Sequence, residues 1–304
     1  MIIKISHDLK KQEIWANGNE LKDIMGKDRV NGKRVLNYPL KKKEYIHTFH
    51  NPVLITDNYQ ISKLTATLRD TLFSLYHSRP RIVEYEHVST IWKEEYASVW
   101  CPSIDTVLFA KALKKISKRL KNVKTAIEIG TGSGFLSKYL LVKNKNIKRL
   151  FVNDLNPSAI DSAKFNIKDN RAKFFIGDGL KFIKNKKFDL IICNPPYIPR
   201  PNSLDDNPYE GIELLNHLIH HGQDYLNKGG MLITDISSLC YQEVLKKKPI
   251  MKTELIEKMS VPLKVNNVLN NKQWINYLVK KGLKKKLQKG YEYWQTINII
   301  LLKK

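Results

Sequence analysis

The tetrapeptide Asn194-Pro195-Pro196-Tyr197 has the residue types needed to hold a planar nitrogen group. It directly follows the apolar segment 188–193, which the sequence predicts as a buried strand. Its two prolines fix φ and supply no N–H donor, so the loop is rigid and its carbonyls face outward. The side-chain oxygen of Asn194 and the carbonyl of Pro195 can then accept the two hydrogens of an NH2 group, while Tyr197 packs against its flat face.

This arrangement suits methylation of an amide or aniline-like nitrogen, which is a poor nucleophile because its lone pair is delocalised. Holding both hydrogens, with a sulfonium methyl in line, favours the pyramidal geometry that displacement needs. No strong base is required, since the methylated nitrogen is acidic and loses its proton afterwards. We therefore predict that Asn194, Pro195 and Tyr197 are catalytic, and that Pro196 joins them in binding the substrate.

A glycine-rich loop, Glu128-Ile129-Gly130-Thr131-Gly132-Ser133-Gly134, follows a predicted strand and opens a predicted helix. Glycines at such a place allow a tight turn and the close approach of a ligand. The loop alone fits NAD, FAD or S-adenosylmethionine. Its spacing differs from the GxGxxG of the dinucleotide fingerprint, and a carboxylate before it would repel a pyrophosphate but can position a cationic sulfonium cofactor. S-adenosylmethionine is therefore the predicted cofactor, bound by Glu128, Gly130, Thr131, Gly132 and Gly134.

Two further carboxylates follow predicted strands. Asp154 ends the second strand, where a carboxylate can accept both hydroxyls of a ribose; capping of the next helix is the alternative role. Asp178 lies between Gly177 and Gly179 after the third strand. It can accept a hydrogen bond from the adenine amine, and a simple turn aspartate is the alternative. Both carboxylates are predicted to bind the cofactor.

Short apolar strands alternate with helices from about residue 99 onward. This alternation is typical of a parallel sheet covered on both faces, and the last strand, 296–302, is predicted to pair antiparallel. The first 98 residues lack it and show one amphipathic helix, 62–76, and a polar loop or hairpin, 27–43. We therefore predict a substrate-selecting domain at 1–98 and the methyltransferase domain at 99–304.

Together the motifs resemble class I S-adenosylmethionine-dependent methyltransferases of the NPPY type. Within these the chain is most similar to the HemK/PrmC family, which methylates a glutamine amide in translation proteins such as peptide-chain release factors. Supporting matches are Pro102, Asp105 and Thr106, the segment Asp154-Leu155-Asn156-Pro157, and Glu210-Gly211, where glutamate replaces the family's aspartate. The resemblance implies a Rossmann-like, doubly wound, seven-stranded and mostly parallel sheet. It also adds Leu155, Gly179 and Asn194 to the predicted cofactor contacts.

The acceptor stays open at this stage. Methyltransferases acting on adenine N6 or guanine N2 of DNA and RNA share the (Asn/Asp)-Pro-Pro-(Tyr/Phe) loop, so a nucleic-acid base is the alternative to a protein glutamine. A binding module that kept the fold and lost the reaction is a third hypothesis. The intact loop at 194–197 argues against it.

The 304-residue chain is strongly basic, with 53 lysines and arginines against 29 aspartates and glutamates and a formal net charge of +24. Such a charge attracts polyanions, chiefly nucleic acid or ribonucleoprotein. A compositional bias toward lysine explains it equally well. Three widely spaced cysteines predict no disulfide framework and favour a reducing, cytoplasmic location. No apolar run approaches the ~18 residues that cross a bilayer, so we expect no membrane partner.

Three histidines, His217, His220 and His221, share one face of a predicted helix. No carboxylate or cysteine partner is evident for them, and methyl transfer needs no metal. We therefore predict a solvated or substrate-facing helix surface there and no metal site.

Overall fold

A computed structural model describes residues 98–304, apart from 203, 205–206, 208, 264 and 289–290, together with 81–93 and six short earlier strands. The predicted helix 62–76 lies outside the described residues. The early strands are β1 (Ile3–Asp8), β2 (Glu13–Ala16), β3 (Arg29–Val30), β4 (Lys33–Arg34), β5 (Tyr45–His47) and β6 (Pro52–Leu54).

The described residues of the amino-terminal region form β-strands. Strands β7 (Arg81–Tyr85) and β8 (Val88–Trp92) complete a six-stranded sheet with the order β6-β5-β2-β1-β7-β8. Its pairs are antiparallel except for β1 with β7. Separately, β3 and β4 pair antiparallel, which confirms the hairpin alternative for part of 27–43.

The larger sheet is the expected doubly wound one. Its strands are β9 (Thr125–Ile129), β10 (Arg149–Asp154), β11 (Ala172–Ile176), β12 (Phe188–Cys193), β13 (Leu226–Ser237), β14 (Lys252–Pro262), β15 (Lys284–Gln288) and β16 (Tyr291–Lys303). The order is β11-β10-β9-β12-β13-β16-β14, and β15 pairs with β16 as an eighth strand. Strand β16 runs antiparallel to β13, while β9 to β13 are parallel. The predicted fold class is confirmed.

Helices cover both faces of this sheet. They are α1 (Ile104–Lys115), α2 (Phe135–Lys143), α3 (Pro157–Asn166), α4 (Gly179–Ile183), α5 (Glu213–His221), α6 (Tyr241–Leu245), α7 (Asn266–Leu269) and α8 (Lys272–Lys280). Short 3-10 turns, Arg119–Asn122 and Gly222–Tyr225, follow α1 and α5. Helix α3 begins with a side-chain cap, because the Asn156 side chain accepts from the N–H of Ser158 and Pro157 is the first helical residue.

Alternate residues of each strand enter two apolar cores. Helices α1 to α3 pack on one face, with Ala126 and Ile192, and helices α4 to α6 pack on the other, with Ile127 and Ile191. All three cysteines are buried and free. In the part of the chain that the structure describes, no helix has the length and apolar character to span a membrane.

The β7–β8 hairpin packs on the larger domain. Val83, Val88 and Trp92 are buried in the same core as α1 to α3. The side chain of Asn166 accepts from the Ile91 N–H at 2.7 Å and donates to the Ile91 carbonyl at 3.0 Å. The domain boundary near residue 98 stays a prediction. The hairpin before it is tied to the helix that follows β10.

Candidate functional site

The polar residues singled out by sequence lie side by side at the carboxyl edge of the sheet. Strand register places Ile129 beside both Asn153 and Cys193, and Cys193 beside Thr234. The next residues on these four neighbouring strands are therefore adjacent as well. They are Asp154, Gly130, Asn194 and Asp235. The carboxyl edge of an open α/β sheet is where ligands bind.

The glycine loop has open space where a ligand would approach. Gly130 and Gly132 have φ of +73° and +54°, a region that favours glycine. A Cβ on Gly130 would meet nothing within 4 Å, and one on Gly132 would meet only the Trp100 carbonyl at 3.8 Å. Gly134 differs, because a Cβ there would lie 3.0 Å from Ala163 of α3. Two glycines thus leave room for a cofactor, and the third allows close helix packing.

Glu128 is buried beneath this loop, with 1% of its surface exposed. One carboxylate oxygen accepts from the Thr131 hydroxyl at 2.8 Å, from the Ser137 N–H at 3.0 Å, and from the Ser137 hydroxyl. Burial raises the pKa of Glu128 to about 7, and these hydrogen bonds oppose that rise. The carboxylate therefore holds the loop, and its charge is sensitive to pH near neutrality.

Asp154 joins the end of β10 to the glycine loop. One oxygen accepts from the Gly132 N–H at 2.9 Å and the other accepts from the Asn156 N–H at 2.9 Å. Burial raises the pKa of Asp154, whereas these backbone donors lower it. Leu155, the next residue, is 43% exposed at the same edge. Each Asp154 oxygen keeps a second lone pair that can accept a ligand hydroxyl.

Asp178 caps α4. One of its oxygens accepts from the backbone N–H groups of Leu180 at 2.8 Å and Lys181 at 3.3 Å. Gly179 lies so close to β9 and β10 that a Cβ would meet the Asn153 side chain and approach Ile129 Cγ2 to 2.7 Å. Turn and capping roles are thus observed for Asp178, and its contact with adenine stays a prediction.

The Asn194 amide lies between two carboxylates. Its nitrogen donates to Asp105 Oδ2 at 3.4 Å, and the Tyr197 hydroxyl donates to the same oxygen at 3.2 Å. The other end of the amide faces Asp235, at 3.2 and 3.0 Å from the two carboxylate oxygens. Turned around, the amide nitrogen would donate to both Asp235 oxygens instead. The two orientations correspond to two protonation states, since only the amide nitrogen can donate.

Burial favours the protonated form of Asp235 and with it the first of these orientations. Asp235 is completely buried, and this burial, together with the nearby charge of Asp105, raises the pKa of Asp235 well above its ordinary range. A protonated Asp235 donates to the Asn194 oxygen while the Asn194 nitrogen donates to Asp105. In that orientation the amide nitrogen and the amide oxygen each have a hydrogen-bond partner.

The rest of the 194–197 loop is held on both sides. Pro195 is buried and Pro196 is half-buried. The ring of Tyr197 packs against both apolar cores, and burial raises the pKa of its hydroxyl well above the ordinary range. Beyond the loop, the indole N–H of Trp274 in α8 donates to the Pro199 carbonyl at 2.8 Å. The loop is therefore supported from α1 and α8.

Asp235 is a site residue that the sequence did not predict. Asp105 was named from the sequence only as part of the family resemblance. The signal for Asp235 was an acidic residue inside the apolar strand 231–236. Its role depends on strand register, which places it beside Asn194.

The three histidines have other partners. His217 contacts the Tyr225 hydroxyl at 2.9 Å, and His220 contacts the Val244 carbonyl at 2.9 Å. Among the described residues no group of three or more histidine, cysteine or acidic side chains is placed to hold a metal ion.

A comparison with protein families decides the identity. The family described as the methyltransferase small domain matches residues 104–261, more than half of the chain. The chain belongs to the methyltransferase small domain family. It is an S-adenosylmethionine-dependent methyltransferase, which confirms the predicted enzyme class.

Relatives with assigned names show which methyltransferases this chain resembles. It is 32% identical over 189 residues to a Methanocaldococcus jannaschii protein provisionally named a protein N5-glutamine methyltransferase, covering 58% of the chain and 92% of that relative. It is 28% identical over 188 residues to the release factor glutamine methyltransferase of Aquifex aeolicus, covering 55% of the chain and 66% of that relative. The resemblance to the HemK/PrmC family is thereby confirmed.

Proposed function

We propose that this methyltransferase methylates the side-chain amide of a glutamine in a protein of the translation machinery, such as a release factor. The observation that carries the proposal is the Asn194 amide, fixed between Asp105 and Asp235 at the mouth of the carboxyl edge. The names of the relatives support the same acceptor. With such a substrate the enzyme acts in the cytoplasm. Residues 1–98 then select the protein partner.

The cofactor half of the site supplies binding groups of the right kind. Gly130 and Gly132 leave space for the ligand, Glu128 faces the amino acid end, and Asp154 accepts the ribose hydroxyls. Asp178 and Gly179 border the adenine, with Thr131, Gly134 and Leu155 completing the pocket. When bound, S-adenosylmethionine supplies an electrophilic methyl group on sulfur.

The acceptor half of the site holds the substrate nitrogen that receives the methyl group. The Asn194 oxygen has two lone pairs. One accepts from protonated Asp235, and the other is available to a hydrogen of the substrate amide. The Pro195 carbonyl accepts the second hydrogen, and Tyr197, tethered to Asp105, borders the flat face of the amide. Pro196 keeps the loop rigid. Both hydrogens are thus held in a geometry that exposes the nitrogen lone pair.

The charge around the site favours a protein amide over a nucleic-acid base. Besides the protonated Asp235, four acidic side chains lie at this edge or beside it, and they are Asp105, Glu128, Asp154 and Asp178. Such a cluster attracts a cationic cofactor and repels a phosphate backbone. A base attached to its phosphates would therefore approach this edge against an unfavourable potential.

Label transfer tests the proposal. The purified protein is incubated with methyl-labelled S-adenosylmethionine and a cell extract, in parallel with Asn194→Ala as the control of reduced turnover. We expect label in a protein band that survives nuclease, and peptide mass spectrometry to find the added mass on a glutamine. Label that disappears with nuclease, or a methyl group on a residue other than glutamine, would overturn the proposal.

A further inference from the structure

The amino ends of the strands carry the opposite charge from the carboxyl ends. An exposed lysine stands at or just before the amino ends of β9, β10, β12, β13 and β14, and another at the carboxyl end of the reversed strand β16. We call these six residues the basic edge. They are Lys124, Lys148, Lys187, Lys228, Lys252 and Lys303. Parallel strands bring their amino ends to one side, so the topology converts six separated lysines into one row.

The carboxylates at this edge already have hydrogen-bond or ion-pair partners. Asp189 accepts from the N–H groups of Lys124 and Thr125, both at 2.9 Å, and from the Asn227 amide at 2.8 Å. Glu254 pairs with Arg119 at 2.6 Å. The ion pairs of the described residues use none of the six lysines. The row therefore keeps its positive charge.

A groove follows this row. A cavity of about 640 Å³ is lined by three of these lysines, Lys228, Lys252 and Lys303, by the carboxylate of Asp189 and by the Arg119–Glu254 pair. Its floor includes Gly229 and Gly230, so backbone is accessible there. From β10 to β14 the sheet order contains five strand spacings, which amounts to about 24 Å of edge at ~4.8 Å per spacing. A nucleic-acid duplex presents about one phosphate per ~1.7 Å of its axis, so an edge of this length meets several phosphates.

We propose that the basic edge binds the phosphate backbone of a nucleic acid, on the side of the sheet opposite the methyl-transfer site. Random excess of lysine would place positive charge at both edges. Among the described residues the two edges instead differ in their balance of charge, with carboxylates in excess after the strands and lysines in excess before them. The bound nucleic acid is a docking partner, held away from the acidic acceptor site, and is not the methyl acceptor. This inference stands whether or not the acceptor is a glutamine.

Salt-dependent binding tests the proposal with RNA and DNA duplexes of one sequence, measured by fluorescence anisotropy. The edge variant replaces Lys148, Lys228 and Lys303 by glutamine. The matched control replaces Lys272, Lys280 and Lys284, three exposed lysines on α8 and on β15, which pairs with the opposite end of β16. Both variants lose the same charge, and none of the six lysines belongs to the proposed active site.

We expect the unmodified protein to bind duplex at about 50 mM salt, with the logarithm of affinity falling steeply against the logarithm of salt. The edge variant should bind roughly tenfold or more weakly, and its slope should be lower by about 0.9 for each phosphate that it no longer neutralises. The control variant should change affinity less than about threefold. The RNA and DNA arms show which nucleic acid is preferred.

Three results would overturn the proposal. They are no duplex binding by the unmodified protein at low salt, equal weakening by both variants, and displacement of duplex by polyglutamate at the charge concentration where unlabelled duplex displaces it. The last result would indicate an acidic protein surface as the partner. Methyl transfer by the edge variant, measured on a protein substrate without nucleic acid, should match that of the unmodified protein.

Discussion

The cofactor half and the acceptor half of the site differ in how their polar groups are satisfied. In the cofactor half, Glu128, Asp154 and Asp178 each accept hydrogen bonds from nearby backbone N–H groups. In the acceptor half, a single amide, that of Asn194, lies between Asp105 and Asp235. The first arrangement holds without any shared proton. The second couples the orientation of one amide to the protonation of Asp235.

This difference separates two tasks. Carboxylates that accept from their own backbone form a pocket whose shape is set before the ligand arrives. An amide placed between two acids has its orientation set by a proton, so its hydrogen-bonding face depends on protonation and on the acceptor that binds. The cofactor half is expected to control affinity for the cofactor, and the acceptor half is expected to control turnover.

The largest expected effect is on turnover. Asn194→Ala removes the oxygen that holds one hydrogen of the acceptor amide, so we expect kcat to fall by at least about tenfold, up to ~100-fold. Cofactor affinity, measured by isothermal titration, should change less than about twofold, because a group acting on the acceptor contributes in the transition state. An equal loss of cofactor binding would remove the distinction between the two halves.

Asp154→Ala should produce the reverse effect. The change removes the carboxylate that ties Gly132 to Asn156. Hydrogen bonds to a charged group contribute about 1.5–3 kcal/mol, so the cofactor Kd should rise roughly 10- to 100-fold. Asp154→Asn, which keeps one acceptor oxygen, should show a smaller rise. If kcat at saturating cofactor falls while Kd stays constant, Asp154 belongs to the acceptor half.

The pH dependence of cofactor binding tests Glu128. Its pKa of about 7 means that the carboxylate is ionised above neutrality and protonated below it. A cationic amino group binds the ionised form, so the cofactor Kd should rise by up to about tenfold for each pH unit below 7. Titration calorimetry from about pH 5.5 to about pH 8.5 spans this pKa and measures the change in cofactor Kd. Glu128→Gln should bind weakly and without that slope.

The smallest expected effect concerns Asp235. An uncharged Asp235 is mimicked by Asp235→Asn, whose amide donates to the Asn194 oxygen, so kcat should stay within about threefold. Asp235→Ala leaves that oxygen without its partner and should lower kcat by roughly tenfold. Because burial raises the pKa of Asp235, the unmodified enzyme should lose activity as the pH rises through that raised pKa, and Asp235→Asn should lack that loss. A tenfold loss in Asp235→Asn would show that the ionised form is needed.

Local sequence was a sound guide to the elements around the motifs. Continuous apolar runs predicted β9, β10, β12 and β16, because a strand buried on both faces needs apolar residues at every position. Strand β14 escaped prediction because it has another sheet strand on only one side and six of its eleven residues are exposed, which removes the apolar run. The helix predicted to carry the three histidines is α5, and a 3-10 turn follows its end.

The sequence by itself determined the enzyme class, the loops at 128–134 and 194–197, and the carboxyl edge as the place where they meet. These follow from local rules, because glycine permits positive φ, proline rigidifies a loop, and parallel strands end on one side. Only the tertiary structure decided that Asp235 stands beside Asn194, that the β7–β8 hairpin packs against α3, and that six distant lysines form one row. Each depends on strand register or packing between segments far apart in the chain, which spacing along the sequence does not encode.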